Sequence, residues 1–268
     1  MILDAAHCMS PFDSRYSSSH QMMFGLVDNM KRVLKQRKEC GIRMEDMLQL
    51  MMDAVENGED RLTDDDIAAN AFLFLLGGYE TTAITMTMAS FLLAKHPEEQ
   101  EKLYAEISAV WNTDEPLNYE NVSKLKRTEA FLLETLRMHP PVITMVSRLG
   151  NESIQVGGYT IPKGTRVQAA VLQIHMDPEL WPEPETFSPE RFIDTNASSL
   201  PHYLPFGVGP KMCMGKRFAL LDMKTTFAHI LKTYKLKLSS PDQEIPAVKL
   251  VNVSLCPQGE VPLILERR

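Results

Sequence analysis

The stretch that most limits what this chain can become is Pro205-Phe206-Gly207-Val208-Gly209-Pro210-Lys211-Met212-Cys213-Met214-Gly215. Three glycines and two prolines within it forbid regular helix or strand, so it must be a turn. The residues that follow, from Lys216, read as the opening of a helix. The turn therefore presents Cys213 just before a helix N-terminus, where free N–H groups and the helix dipole favour a thiolate. Glycines at 209 and 215 let the backbone approach something flat and bulky. The plainer alternative is a reduced structural cysteine in a Gly-Pro turn.

A second stretch with a cost to explain is Gly77-Gly78-Tyr79-Glu80-Thr81-Thr82. It lies inside a helix that Thr63 caps, that carries Asp64, Asp65 and Asp66 in its first turn, and that Pro97 stops after Lys95. Adjacent glycines in mid-helix cost roughly 2 kcal/mol against alanine. Without side chains, Gly77 and Gly78 admit a flat ligand to the backbone or let the helix widen. Thr81 stands one turn after Gly77, where its hydroxyl can bond the Gly77 carbonyl and disturb the ladder. Close helix packing at the glycines, with a solvated Glu80, is the alternative.

Two further motifs lie between these. Glu134 and Arg137 are three apart on one helix face, and Pro189-Glu190-Arg191-Phe192 follows later. Alone, Glu134 and Arg137 read as a surface pair worth a few tenths of a kcal/mol.

Taken together, these four motifs, in this order, resemble those of the cytochromes P-450, the haem-thiolate monooxygenases. The cysteine loop fits that family's pattern through Phe206, Gly209, Lys211, Cys213 and Gly215, and Gly-Tyr-Glu-Thr-Thr looks most like the microsomal drug- and steroid-oxidising branch. The resemblance covers residues 22–268 and implies the C-terminal portion of a mainly α fold with small β-sheets. It implies haem as cofactor and Cys213 as iron ligand. It places Glu80 and Thr81 on the opposite side of the haem, organising water and delivering protons, and Gly77 and Gly78 along the groove there. It makes Glu134, Arg137 and Arg191 a buried ion network that fixes the segment leading to Cys213, and it places Arg148 near a haem propionate. It further implies an NADPH-dependent reductase as electron donor, with cytochrome b5 as a second, a lipophilic small-molecule substrate, xenobiotic or steroid metabolism, and membrane association at the endoplasmic reticulum. Lys211, Lys216 and Arg217 suit an acidic redox partner. Family members are considerably longer, and the early membrane anchor and substrate-capping segments have no counterpart here. A truncated, non-catalytic product is thus the second reading.

The rest of the chain supports a globular protein. An apolar fraction of 44% with 24% charged residues is ordinary. A formal net charge of −7 argues against a nucleic-acid partner. Cys8, Cys40, Cys213 and Cys256 have no C-x-x-C spacing, so a zinc cluster is not expected. Residues 67–94 are interrupted by Asn70, Glu80 and threonines, which argues against a membrane span.

Periodicity predicts an irregular segment over 1–20, with the haem-binding part over 21–268. Helices are expected over 21–40, 44–55, 63–95, 97–111, 127–138 and 216–234. Strands are expected over 153–156, 159–161, 166–174, 235–238, 248–255 and 261–265, with 177–192 irregular. Gly157-Gly158 marks a two-residue hairpin turn, and Asn57-Gly58 a helix C-cap.

Overall fold

Most of the chain's burial is organised by helices. The computed structural model describes residues 14–268 except 59–60, 113–114, 145 and 252. The chain divides into two units, residues 1–77 and 78–268, so Cys8 and most of the segment expected to be irregular lie outside the described residues.

In the first unit, α1 (Ser14–Cys40) and α2 (Met47–Glu56) accompany the start of α3 (Asp64–Lys95). Helix α1 begins earlier than expected. Its serine run lacks an apolar period, but a helix already nucleated extends through such residues at little cost. Leu34, Leu48, Met52 and Ile67 form a small core. Lys31 pairs with Asp65 at 2.9 Å and Lys38 with Asp64 at 2.5 Å, so the basic side of α1 meets the acidic first turn of α3. Thr63 and Asp66 cap α3 reciprocally: the Thr63 amide donates to Asp66 Oδ2 at 2.9 Å, and the Asp66 amide donates to Thr63 Oγ1 at 3.2 Å.

Asp46, not singled out in the sequence, caps α2 by accepting from the Gln49 amide at 2.9 Å. It also accepts from Arg37 Nη1 at 2.8 Å. That guanidinium bond, with the Gln49 amide, holds the Asp46 carboxyl down at about 2.

In the second unit, residues 82–93 of α3 run through the core: Met88, Ala89, Phe91, Leu92 and Leu93 are buried. Around them lie α4 (Pro97–Val110), α6 (Lys126–Met138) and α8 (Lys216–Thr233), contributing Leu103 and Ile107, Phe131 and Leu132, and Met223, Phe227 and Leu231. By length and composition alone α3 could cross a membrane. Only its C-terminal part, Thr82 to Leu93, is mostly buried and serves as a core helix. Its threonines are compatible with either setting because they hide their hydroxyls: Thr85 donates to Thr81 O and Thr87 to Ala83 O, each at 2.8 Å.

Four antiparallel strand pairs complete the unit: β1 (Ser147–Leu149) with β4 (Arg166–Gln168), β2 (Ile154–Val156) with β3 (Tyr159–Ile161), β5 (Tyr234–Leu238) with β8 (Leu263–Arg267), and β6 (Val248–Val251) with β7 (Ser254–Pro257). The β2–β3 turn uses Gly157 and Gly158 at φ +56° and +83°, the positive-φ pair a type I′ turn requires.

Several elements differ from the sequence reading. The expected strand over 166–174 ends at Gln168, and Val171–His175 forms a short helix, α7. A brief apolar run does not separate strand from helix, and Val171 and His175, four apart, are the buried pair that decides it. The single strand expected over 248–255 is the β6–β7 hairpin, whose turn carries neither Gly nor Pro. The loop before α6 holds a one-turn helix, α5 (Tyr119–Ser123), capped by the Asn118 side chain. Arg148, expected ahead of the sheet, stands within β1, opposite Val167.

Gln100 is an unpredicted strut. Only 2% exposed, it donates to the carbonyls of Leu93 and Leu236, each at 2.9 Å, and accepts from the Leu236 amide at 2.7 Å. One amide side chain thus ties the end of α3 to α4 and β5.

Candidate functional site

The turn at 205–215 is closed by its own backbone. The Cys213 amide donates to Phe206 O at 2.8 Å, Met212 to Gly209 O at 3.0 Å and Gly207 to Leu204 O at 3.0 Å. Gly207 and Gly209 sit at φ +70° and +71°, a region that disfavours any residue with a Cβ. Pro210 holds the helical turn Gly209–Lys211. Gly215 then starts α8, accepting from the Ala219 amide at 2.8 Å. A Cβ on Gly215 would lie 3.9 Å from Cys213 Sγ.

Cys213 is a free, exposed thiol. Its chain neighbours are apolar and bare: Val208, Met212, Met214 and Phe218 are 49, 49, 80 and 71% exposed. Such an exposed apolar surface marks something to be covered. Among the described residues no group of three or more His, Cys, Asp or Glu side chains is placed to hold a metal ion. A lone soft sulfur donor on an apolar face, with glycines where a flat body must approach, suits a haem iron and not a zinc site.

Arg148 stands beside this loop: its Nη2 donates to Val208 O, and its Nη1 to Ser147 O at 2.8 Å. A Cβ on Gly209 would lie 3.7 Å from Arg148 Nη2. Phe206 is half-buried under Lys216, whose Nζ stands 5.6 Å from the ring centroid. Burial lowers the Lys216 pKa. Lys211 and Arg217 are exposed.

Helix α3 stays α-helical through Gly77-Gly78, with no widened turn. An added Cβ at either glycine would meet nothing within 4 Å, so the pair does not serve close packing among these residues. Tyr79 is 75% exposed, and Glu80 and Thr81 are half-buried. Glu80 Oε1 lies 3.7 Å from Cys256 Sγ, on β7, a residue the sequence did not single out for the site.

The ions of α6 are fully enclosed. Arg137 Nε and Nη2 bond both oxygens of Glu134 at 2.7 and 2.9 Å, with both side chains at 0% exposure. Arg137 also donates to His175 O at 2.7 Å and Pro184 O at 2.8 Å. Glu134 Oε1 accepts from the Ser188 amide at 2.9 Å and stands 3.4 Å from Arg191 Nε. Arg191, 16% exposed, anchors further on Glu183 O at 2.9 Å. Each buried charge is bonded several times over, the condition under which a buried ion pair is tolerable.

Sequence reading missed His175 and Tyr203. Buried His175 accepts the Leu204 amide on Nε2 at 2.9 Å and has Nδ1 2.9 Å from Arg137 O. An acceptor at Nε2 requires the proton on Nδ1, so the ring is neutral. Burial pushes its pKa down to about 4. Tyr203 stacks on it at 5.7 Å and donates to Leu133 O at 2.8 Å. These two side chains carry the position of α6 to Leu204, immediately ahead of the cysteine turn. Nothing in their local sequence pattern signals this, because both partners are backbone groups distant along the chain.

Comparison with known proteins gives the family. The family model described as Cytochrome P450 matches residues 2–262. Cytochrome P450 3A31 of Mesocricetus auratus is 38% identical over 226 residues, 82% of this chain and 44% of the relative. Cytochrome P450 3A29 of Sus scrofa is 35% identical over 251 residues, 90% of this chain and 49% of the relative. Cytochrome P450 3A41 of Mus musculus is 34% identical over 271 residues, 97% of this chain and 51% of the relative. The chain spans about half the length of the curated relatives it matches. With the motifs in family order, the cysteine turn closed before α8 and this match over nearly its whole length, the chain belongs to the cytochrome P450 family.

Proposed function

We propose that this chain is the haem-binding half of a cytochrome P450 monooxygenase and that Cys213 would hold the haem iron. The observation that carries this is the free, exposed Cys213 thiol in a backbone-closed turn whose apolar chain neighbours are also exposed. When bound, haem supplies the dioxygen chemistry by which one oxygen atom enters an apolar substrate, with two electrons from an NADPH-dependent reductase. The protein's part is positioning. Phe206, Gly209 and Gly215 shape the turn so that Cys213 Sγ faces outward. Arg148, steadied by Val208 O, offers a cation to an anionic edge of the cofactor. Gly77 and Gly78 leave the backbone of α3 open to a flat neighbour. Glu80 and Thr81 would hold water and move protons. Lys211, Lys216 and Arg217 meet an acidic reductase or cytochrome b5 surface. The relatives' class favours lipophilic substrates and an endoplasmic-reticulum membrane setting.

The test is the carbon-monoxide difference spectrum of the reduced, haem-loaded chain. Wild type, Cys40→Ser and Cys256→Ser should give the thiolate-type band, and Cys213→Ser should lose it. A Cys213→Ser protein that keeps the band overturns the ligand assignment. A wild-type chain that takes up no haem favours the non-catalytic fragment.

A further inference from the structure

We propose that Cys256 is a positioning residue for Glu80: its thiol donates to the Glu80 carboxylate and fixes where that carboxylate points. The inference rests on the proton-handling reading of Glu80 given above.

Three observations support it. Cys256 Sγ stands 3.7 Å from Glu80 Oε1, within reach of a sulfur hydrogen bond. The hairpin carrying Cys256 is itself fixed, because the Leu255 amide donates to Pro141 O at 2.7 Å, Ser254 bridges Val142, and Ser254 is 1% exposed. Among the described residues no lysine, arginine or histidine forms an ion pair with Glu80, whereas the Cys256 thiol lies within bonding reach of it.

The chemistry of that partner matters. A guanidinium or ammonium at this place would hold Glu80 ionised. A thiol is a weak neutral donor. It orients the carboxylate without placing a fixed positive charge beside it. Burial first, and the Glu80 charge second, push the Cys256 pKa up, which keeps the thiol protonated as a donor. Lys249, paired with Cys256 across the hairpin, acts weakly the other way.

The contact can be tested without activity. Alkylation of each cysteine by iodoacetamide at mildly alkaline pH is followed by peptide mass spectrometry on the chain. Cys256 should react more slowly than exposed Cys40. In Glu80→Gln its rate should rise about threefold or more, since removing an adjacent carboxylate increases the thiolate fraction. An unchanged rate overturns the contact. The positioning role is tested on the haem-loaded protein with a reductase, as product formed per reductant consumed. Cys256→Ala should lower this yield, and Cys256→Ser, which keeps an O–H donor, should recover it relative to alanine. In a Glu80→Gln background, Cys256→Ala should add nothing. If it lowers yield there by the same factor, Cys256 acts by packing and the proposal fails. If Glu80→Gln alone has wild-type yield, the reading of Glu80 fails, and the alkylation result separates that failure from loss of the contact.

Discussion

His175 shows how one side chain couples burial to pH. Its folded pKa, pushed to about 4 by burial, lies below its ordinary value of 6.5. Between those values the unfolded chain binds the extra proton, so stability from the neutral ring is complete above pH 6.5 and lost as pH falls toward 4. The loss should reach about 3 kcal/mol below pH 4. Denaturant unfolding of wild type and His175→Phe across pH 4–7 checks this: the slope should be smaller in the variant. His139, also lowered to about 4 by burial, should leave a residual slope in both. Thr81 yields a different residue-scale expectation. Thr81→Ala should still bind haem and substrate, but give more hydrogen peroxide and less product per reductant consumed. Proton-transfer groups of this kind are worth roughly 10²–10⁴ in rate. Unchanged coupling would leave Thr81 a packing residue.

At the scale of elements, α6 is the member whose loss would spread furthest. Its ions hold the carbonyls of His175 and Pro184 and the amide of Ser188, and through His175 it reaches Leu204. Glu134→Ala would strand Arg137, which is 0% exposed, as an uncompensated buried charge. The expected loss is about 3–5 kcal/mol, read as a shift in unfolding midpoint. A loss below about 1 kcal/mol would match an exposed ion pair and contradict the enclosed geometry. Helix α3 makes a complementary point. Its Gly-Gly pair costs roughly 2 kcal/mol, yet a Cβ added at either glycine would meet nothing within 4 Å, so close packing at the glycines does not account for the cost.

For the molecule as a whole, the bare apolar residues around Cys213 and along residues 73–79 are surface that a cofactor or further protein would cover. A ligand that binds only the folded chain stabilises it by linkage, by about 2.7 kcal/mol at a hundredfold excess over Kd. Haem titration should therefore raise the thermal midpoint of wild type and raise that of Cys213→Ser much less. Equal shifts in both would mean that haem binds without the thiolate.

The sequence by itself determined the elements that local rules control: the capped α3, the Gly157-Gly158 hairpin and the cysteine turn, where glycine and proline leave few conformations. It also determined the family, because Phe206, Gly209, Lys211, Cys213 and Gly215 stand at fixed spacing. Helix spacing left Glu134–Arg137 a surface pair or an enclosed one; the family resemblance implied the enclosed one, and the tertiary structure supplies the carbonyls of residues 175–186 that make burial tolerable. Tertiary structure alone turned residues 171–174 of the expected strand into helix, gave His175, Tyr203 and Gln100 their backbone partners, and brought Cys256 to Glu80 across 176 positions of sequence. Those contacts depend on which distant backbone groups are left unpaired by the packing, and no local pattern records that.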